Sequence, residues 1–354
     1  MWYRELLSWY GENKRDLPWR SERPDPYHVW VSEIMLQQTR VEAVKDHYRR
    51  FIKAFPDVRA LAGADTDAVL KYWEGLGYYS RARNLKAGAG QVMEEYGGQI
   101  PNSAAELKKI KGIGEYTACA IASIAFGEKC AAIDGNLLRI FARLTAYKEN
   151  IRTQKARQEA ERYFLGQMPE NGLPGVYGDM NQALMDLGAE ICVPVRQENG
   201  PDCGRCPLAG SCRAYGTGTE RSLPVIPEKK SRRIQELTVF VIRDNDRFVL
   251  RQRPGKGLLA GLYEFPNVEG FADRKEALHC IEELGFSPVR IMELPEAVHQ
   301  FTHVEWRMKG YAVWVDDLSP AKAGENGCFA ATAGEISEKY SIPSAFGAYR
   351  PSTW

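Results

Sequence analysis

The chain has 354 residues, of which 44% are hydrophobic and 26% charged, and its formal net charge at pH 7 is +1. This composition excludes a disordered or fibrous chain, and the length favours two domains. A charge so close to zero excludes an overall basic protein, so binding to nucleic acid would require a local positive patch. The N-terminus shows no signal peptide and no apolar stretch is long enough to span a membrane, so we expect a soluble cytoplasmic protein.

Helical periodicity dominates residues 1–213. Asp25 followed by Pro26 is typical of a helix start, because the carboxylate can cap the first turn and proline fits its first position. Apolar residues then recur every three or four positions between Val29 and Phe51. Glycine or proline separates the further predicted helices, which cover residues 68–73, 82–96, 104–110, 116–125, 137–144 and 181–191. We therefore predict an all-α domain over residues 1–213.

The composition changes after Cys212. Glycines, prolines and a basic run at 229–233 predict a linker over residues 214–235. The elements predicted beyond it are strands at 237–242, 247–251 and 306–315 and a helix at 275–284 that ends at a glycine. We therefore predict a smaller α+β domain over residues 236–345, followed by a tail over 346–354.

A glycine-rich turn lies in the helical region, within the string Leu-Lys-Lys-Ile-Lys-Gly-Ile-Gly-Glu-Tyr-Thr-Ala at 107–118. Gly112 and Gly114 allow a sharp bend between two helices, and the amides of such a turn can donate hydrogen bonds to a phosphate. Lys111 adds positive charge beside the turn. Two glycines alone would also fit an ordinary corner between helices, whereas the full string is far more specific.

The full string resembles the helix–hairpin–helix of the endonuclease III superfamily of base-excision DNA glycosylases. The resemblance implies a catalytic aspartate about twenty residues later, where this chain has Asp134. Capping of the following helix is the alternative interpretation of Asp134. Members that also cut the DNA strand have a lysine in the hairpin, whose amine forms a Schiff base. Tyr116 occupies that position and cannot form an imine, so the chain resembles the monofunctional branch.

Glu33 lies in the mostly apolar string Trp-Val-Ser-Glu-Ile-Met-Leu-Gln-Gln-Thr at 30–39. Desolvation there would raise the pKa of its carboxyl group and allow it to act as a general acid near neutral pH. The alternative is a glutamate on the solvated side of an amphipathic helix. The residues alone leave both interpretations open.

The string at 32–40 resembles the signature of the adenine DNA glycosylase family, and strings at 15–20, 75–81 and 180–188 agree with it. The resemblance implies hydrolytic removal of adenine mispaired with 8-oxoguanine or guanine in duplex DNA. Glu33 would protonate the adenine, Asp134 would stabilise the cationic sugar, Asn136 would orient this pair and Tyr116 would lie beside it. The alternatives are a related glycosylase that acts on another base and a non-catalytic iron–sulfur protein that binds DNA.

The same resemblance implies the DNA-binding residues. The pocket for the extruded adenine, which must replace its stacking and hydrogen bonds, would consist of Arg15, Leu17, Trp19 and Gln182. Contacts with the DNA stack and backbone would come from Gln37, Gln38, Tyr78, Lys111, Gly112 and Gly114. Tyr78 could instead be a core residue, but its glycine-bounded turn favours the contact with DNA. A monomer in the bacterial cytoplasm, close to the nucleoid, is the expected state.

Four of the eight cysteines, Cys192, Cys203, Cys206 and Cys212, lie within 21 residues. Without an export signal, this density indicates a metal site and not disulfides. Four thiolates can hold either zinc or a 4Fe–4S cluster, and their spacing does not decide between them. The resemblance favours the cluster, although ten residues separate the first two cysteines where the family has six. We expect the additional residues to extend a surface loop.

The string at 257–266 resembles the Nudix-like C-terminal domain of the same family. Leu278 and His279 replace the arginine and first glutamate of a Nudix metal site, so we expect recognition without hydrolysis. Phe301, Thr302 and His303 resemble the loop that reads 8-oxoguanine, with threonine in place of the usual serine. A solvated turn at a strand end is the alternative. The predicted architecture is thus a helix–hairpin–helix glycosylase of two helical subdomains with an iron–sulfur loop, followed by an α+β Nudix-like domain.

Overall fold

The structure is a computed structural model that describes residues 2–173, 175–196, 199–227, 231–318 and 327–350. These residues form two compact units. The first unit contains residues 2–64 and 83–227, and the second contains residues 65–82 and 231–350. No helix in the described part of the chain is both long and apolar enough to cross a membrane.

The first unit is helical, and its helices begin where the sequence supplies caps. Asp25 accepts hydrogen bonds from the amides of Tyr27 and His28 and starts the second helix at Pro26, as predicted. The helices of the first unit are α1 (Tyr3–Asn13), α2 (Pro26–Leu36), α3 (Val41–Ala54), α4 (Val58–Gly63), α6 (Ser80–Glu95, whose first residues belong to the second unit), α7 (Ala104–Leu107), α8 (Glu115–Phe126), α9 (Gly135–Thr145), α10 (Gln154–Gln167), α11 (Val176–Glu190) and α12 (Arg213–Gly216). Helices α1, α4, α10 and α12 were not predicted, and α7 is shorter than the predicted helix over 104–110.

A core of buried apolar side chains joins helices α1, α9, α10 and α11. Leu6, Leu137, Phe164 and Leu184 lie fully buried at its centre. Three of the clustered cysteines pack against its edge. The core therefore links the helix that follows Asp134 to the region of the predicted metal site.

The second unit is built on one sheet, together with helix α5 (Thr66–Trp73) from earlier in the chain. Its strands are β1 (Arg233–Asp244), β2 (Arg247–Gln252), β3 (Tyr263–Glu264), β4 (Asn267–Glu269), β5 (Pro288–Gln300), β6 (Val304–Val315) and β7 (Cys328–Thr332), with helices α13 (Arg274–Glu283) and α14 (Ala333–Glu338). The path through the sheet is β3-β2-β1-β6-β5, with β4 beside β1 and β7 beside β2. Only the β1–β6 pair is parallel among the described strands.

Both faces of the sheet are buried. Along β1, Leu237 and Val239 point into one apolar cluster, whereas Phe240 and Ile242 point into another. This follows from the alternation of side chains along a strand and explains the nearly continuous apolar run that predicted it.

The structure divides the chain differently from the predicted boundaries. Residues 214–227 belong to the first unit, where Leu223 is buried, and β1 begins inside the predicted linker at Arg233. The predicted tail contains a 3-10 helix, Ser344–Tyr349, whose Phe346 and Tyr349 are fully buried in the core of the second unit. Glycine and proline content indicates irregular backbone but not burial, which is why these boundaries differ. Lys229, Lys230 and residues 351–354 lie outside the described residues.

Candidate active site and cysteine cavity

Glu33 is a buried carboxyl group on α2. Its exposed fraction is 6%, and the hydroxyl of Tyr116 on α8 donates a hydrogen bond to Oε2 at 2.5 Å. Burial raises the pKa of Glu33 to about 7; the charge of Asp134 also raises it, whereas the hydrogen bond from Tyr116 and the charge of Arg20 lower it. The solvated alternative for Glu33 is therefore wrong, and much of this carboxyl group is protonated at neutral pH.

Asp134 makes the helix cap that was its alternative interpretation from the sequence, and it also lines a cavity with Glu33. Its Oδ1 caps α9 by accepting from the amide of Leu137 at 2.8 Å, and its Oδ2 accepts from Nδ2 of Asn136 at 2.9 Å. Burial raises the pKa of Asp134, while the Leu137 amide, the charge of Arg139 and the Asn136 contacts oppose that rise. The cap itself thus holds this carboxylate in place beside Glu33.

One cavity collects both carboxyl groups. It encloses about 820 Å³ of empty space, including the open solvent at its mouth. Eight predicted residues line it, namely Arg15, Leu17, Trp19, Glu33, Tyr116, Asp134, Asn136 and Gln182. The structure therefore brings the predicted catalytic residues and the predicted base pocket together.

Asp186 is a buried carboxylate that the sequence reasoning missed, and it binds two arginines that line this cavity. Its Oδ1 accepts from Nη2 of Arg15 at 2.5 Å, and its Oδ2 accepts from Nη1 of Arg20 at 2.7 Å. Burial alone would raise the pKa of Asp186, but the bonds and charges of Arg20 and Arg15 hold it below its usual value. The guanidinium of Arg15 is thus fixed by an ion pair, and Arg20, also missed, joins the cavity wall.

Arg139 was missed as well, and it connects the active site to the first clustered cysteine. Its Nη2 donates to Oδ1 of Asn136 at 2.9 Å and to the carbonyl of Gly188 at 2.6 Å, while Nε donates to the carbonyl of Cys192 at 2.7 Å. A Cβ at Gly188 would lie 2.7 Å from that of Asn136, so this close approach requires glycine.

The predicted hairpin lies between α7 and α8. Gly112 has a φ of +86° and an added Cβ there would meet Asn84 at 2.7 Å, so glycine is required. Gly114 is the N-cap residue of α8. The amide of Lys111 donates to Oε1 of Gln91 at 2.9 Å. This backbone donor is therefore already used, and Lys111 would contribute to DNA binding mainly through its positive charge.

Two residues predicted to contact the DNA stack have strained backbones. Gln38 has a φ of 57° and Tyr78 a φ of 47°, a region that side-chain-bearing residues seldom adopt and that is enriched at functional sites. Tyr78 is 46% exposed, whereas its neighbour Tyr79 is buried. The core alternative for Tyr78 is therefore wrong. Gln37 donates from Nε2 to Oγ1 of Thr117 at 3.3 Å.

The predicted lesion-reading residues form the turn between β5 and β6. Phe301 is half-buried and packs against Trp306, with ring centroids 4.9 Å apart. Thr302 and His303 are exposed, and Oγ1 of Thr302 lies 3.0 Å from the hydroxyl oxygen of Tyr78. The turn thus contacts Tyr78 directly through Thr302. The sequence did not predict this contact, because the two residues lie far apart in the chain.

The four clustered cysteines line a second cavity in the first unit, with about 390 Å³ of empty space. All four are free thiols. Nη1 of Arg143 donates to Sγ of Cys192 at 3.2 Å, while its Nη2 is buried with no hydrogen-bond partner. Within the described residues, no three possible ligands lie as close together as a single metal ion requires.

Comparison with family models finds two matches. The HhH-GPD superfamily base excision DNA repair protein model matches residues 31–164. The NUDIX domain model matches residues 238–349. The two matches agree with the predicted fold classes of the two parts of the chain.

Comparison with curated proteins finds several relatives named adenine DNA glycosylase. The protein of Rattus norvegicus is 34% identical over 90% of this chain and 71% of its own length. That of Arabidopsis thaliana is 37% identical over 84% of this chain and 55% of its own. That of Buchnera aphidicola subsp. Baizongia pistaciae is 32% identical over 86% and 83%, respectively.

Comparison with solved structures finds glycosylase folds. A thermostable thymine-DNA glycosylase is 30% identical with a TM-score of 0.52, covering 61% of this chain and 95% of that one. A non-covalent endonuclease III–DNA complex is 20% identical with a TM-score of 0.50, covering 62% and 95%. The second likeness supports the helical fold alone.

Proposed function

The chain belongs to the adenine DNA glycosylase family, and on that premise we propose that it hydrolyses the N-glycosidic bond of adenine opposite 8-oxoguanine or guanine in duplex DNA. The observation that carries the proposal is the pair of carboxyl groups, buried Glu33 and half-buried Asp134, on one cavity. An extruded base entering this cavity would meet an acid and an anion at once. Base removal is thus the reaction that the geometry supports best.

Glu33 is the general acid in this mechanism. Because Tyr116 donates to Oε2, the acidic proton resides on Oε1 and can pass to the adenine ring at N7. Protonation makes adenine a neutral leaving group, which takes the electron pair of the bond to C1′ as that bond breaks. A water molecule then adds to C1′ and loses a proton, leaving an abasic site.

Asp134 stabilises the positive charge that develops on the sugar. Its oxygens already accept from Leu137 and Asn136, and such bonds favour the ionised form. A fixed anion at this position acts on the oxocarbenium-like sugar as paired carboxylates act on glycosides. The bonds around Asp134 thus favour its ionised form, whereas burial favours the protonated form of Glu33 in the same cavity.

Strand cleavage is not part of the proposed activity. Tyr116 stands at the hairpin position where a lysine would supply the attacking amine, and its phenol is committed to Glu33. Burial holds the pKa of Tyr116 well above its ordinary value, so the side chain stays neutral. The product is therefore an intact strand with an abasic site.

Recognition of 8-oxoguanine is assigned to the turn between β5 and β6. The exposed Thr302 and His303 offer a hydroxyl and an imidazole to the Hoogsteen edge of the lesion. Thr302 retains the hydroxyl of the family's serine and adds a methyl group. The contact of Thr302 with Tyr78 supports a shared task for these two residues at the base opposite adenine.

Cys192, Cys203, Cys206 and Cys212 would hold a 4Fe–4S cluster. Four thiolates are the usual ligands of such a cluster, and the buried Nη2 of Arg143 on the same cavity would gain a sulfur acceptor. When bound, the cluster supplies a structural crosslink and no step of the reaction. The bound cysteines would then fix the segment that begins at Cys192, whose carbonyl accepts a hydrogen bond from Arg139.

A base-release assay tests the proposal. Duplexes with adenine opposite 8-oxoguanine, guanine, cytosine or thymine, and one with thymine opposite guanine, are incubated with the wild-type protein and with Glu33→Gln. We expect adenine release opposite 8-oxoguanine and guanine, strand breaks only after alkali, and no release by Glu33→Gln. Release of thymine, or strand breaks without alkali, would contradict the proposal. Iron and sulfide analysis of the purified protein tests the cluster against zinc.

A further inference from the structure

Residues 65–82 belong to the second unit although they lie in the middle of the helical sequence. Two side chains of α5, those of Asp67 and Lys71, attach this helix to the later part of that unit. The hydroxyl of Tyr263 donates to Oδ2 of Asp67 at 2.7 Å. Nζ of Lys71 donates to the carbonyl of Ile336 at 3.2 Å. One side of α5 is thus fixed to the domain that carries the lesion-reading turn.

Glu74, at the C-cap of α5, is the third side chain that attaches this helix to the later part of the second unit. Its Oε2 accepts from Nζ of Lys71 at 2.6 Å, and its Oε1 accepts from Nη2 of Arg350. Arg350 also donates to the carbonyl of Ile342. The carboxylate of Glu74 is 15% exposed and lies between two cations. Such a pair is more rigid than a surface ion pair, because little solvent competes with it.

The loop that follows Glu74 has little freedom of its own. The carbonyl of Gly77 accepts from Nε1 of Trp73 and from Nη2 of Arg81, at 3.1 Å each. The guanidinium of Arg81 lies 5.4 Å from the ring centroids of both Trp73 and Tyr78. With φ at +47°, the backbone of Tyr78 holds its position only because its surroundings impose it. The direction in which Tyr78 projects is therefore set by the end of α5.

We propose that Glu74 and Arg350 are positioning residues for Tyr78. They fix the end of α5 and thereby hold the Tyr78 side chain in the position from which it enters the DNA stack. The proposal rests on the proposed function, in which Tyr78 contacts the DNA beside the mispair. Arg350 is distant in the sequence from the residues around Glu33, and it lines neither the active-site cavity nor the cysteine cavity. Its effect on catalysis therefore passes through DNA binding and not through the chemical step.

The first experiment compares Arg350→Gln with Arg274→Gln in the full chain. Arg274 is an exposed arginine in the first turn of α13, so its change removes the same charge without touching α5. We expect Arg350→Gln to weaken binding of the adenine:8-oxoguanine duplex about tenfold, or about 1.4 kcal/mol. The single-turnover rate at saturating DNA should stay within about twofold, since the groups around Glu33 are unchanged. Arg274→Gln should match the wild type.

The second experiment asks whether the effect passes through Tyr78. In a double-mutant cycle with Tyr78→Ala, the change Arg350→Gln should weaken binding less than about twofold further. Glu74→Gln, which preserves size, should reproduce Arg350→Gln, and Arg350→Lys should restore most of the binding. Thermal unfolding of each variant keeps a loss of folding separate.

Two results would overturn the positioning role. One is a full tenfold loss on top of Tyr78→Ala, and the other is a Tyr78→Ala variant that binds the mispair as the wild type does. Both leave adenine release by the wild type untouched. Failure of this proposal is therefore distinct from failure of the proposed function, which wild-type base release decides.

Discussion

The change Glu33→Gln separates the burial of Glu33 from its role as an acid. The glutamine keeps the size of the side chain and can still accept from Tyr116. The pKa of Glu33 moves from 4.5 to about 7, a rise of about 2.5 units, chiefly through burial. At about 1.4 kcal/mol per unit, ionising Glu33 in the folded protein lowers the free energy of unfolding by on the order of 3 kcal/mol.

The sign of the pH dependence follows from this rise. Below pH 4.5 the carboxyl group is protonated in both the folded and unfolded chain, so Glu33 has no unfavourable effect. Between pH 4.5 and 7 the unfolded chain releases the proton that the folded chain keeps, so stability falls as the pH rises. Above pH 7 the loss is complete. Glu33→Gln should therefore be more stable than the wild type by roughly 3 kcal/mol at pH 8.5 and by less than about 1 kcal/mol at pH 5.

Urea unfolding at these two pH values measures the difference, alongside the base-release assay. Glu94→Gln, at an exposed position on α6, makes the same chemical change and serves as the control. Its stability should equal that of the wild type at both pH values. We expect Glu33→Gln to gain stability at high pH and lose base release altogether. Equal stability of Glu33→Gln and wild type at pH 8.5 would mean that Glu33 is solvated and ionised without penalty, which would refute the reasoning.

Three further predictions concern the neighbours of Glu33 and the cysteine cavity. Asp134→Asn retains a capping oxygen for α9, so the protein should fold and bind DNA, while base release in single-turnover assays falls by about 10³-fold. Tyr116→Phe removes a hydrogen bond that lowers the pKa of Glu33; the alkaline limb of the pH–rate profile should move upward by about one unit. Cys203→Ser should lower the iron content and the unfolding temperature, whereas Cys280→Ser, on α13, should change neither.

Motifs with local chemistry were predictable from the sequence. The cap at Asp25, the required glycine at Gly112 and the carboxylate at Asp134 depend on their immediate neighbours, and the structure places each as expected. Glu33 needed more, because an isolated glutamate does not reveal its burial. Here the resemblance to a family supplied what the pattern of residues left open.

Pairs of residues distant in the chain were beyond prediction from a single sequence. Arg15 and Asp186 are 171 positions apart, and Asn136 and Cys192 are joined through the side chain of Arg139. Periodicity assigns residues to helix faces but gives no register between distant helices. The assignment of residues 65–82 to the second unit and the burial of Phe346 depend on the same missing information.

The ion pairs around Asp186 bear on why Glu33 can remain an acid. The charge of Arg20 lowers the pKa of Glu33, although by less than burial raises it. Asp186 accepts two hydrogen bonds from Arg20 and two from the side chain of Arg15, and its negative charge offsets both cations. Burial and the charge of Asp134 act against the effect of Arg20 and raise the pKa of Glu33 to about 7, while the Leu137 amide, the charge of Arg139 and Asn136 favour the ionised form of Asp134. The pKa of Asp186 is therefore held below its usual value while those of Asp134 and Glu33 are raised, because each carboxyl group has different partners: two arginines for Asp186, an amide and Asn136 for Asp134, and a phenol for Glu33.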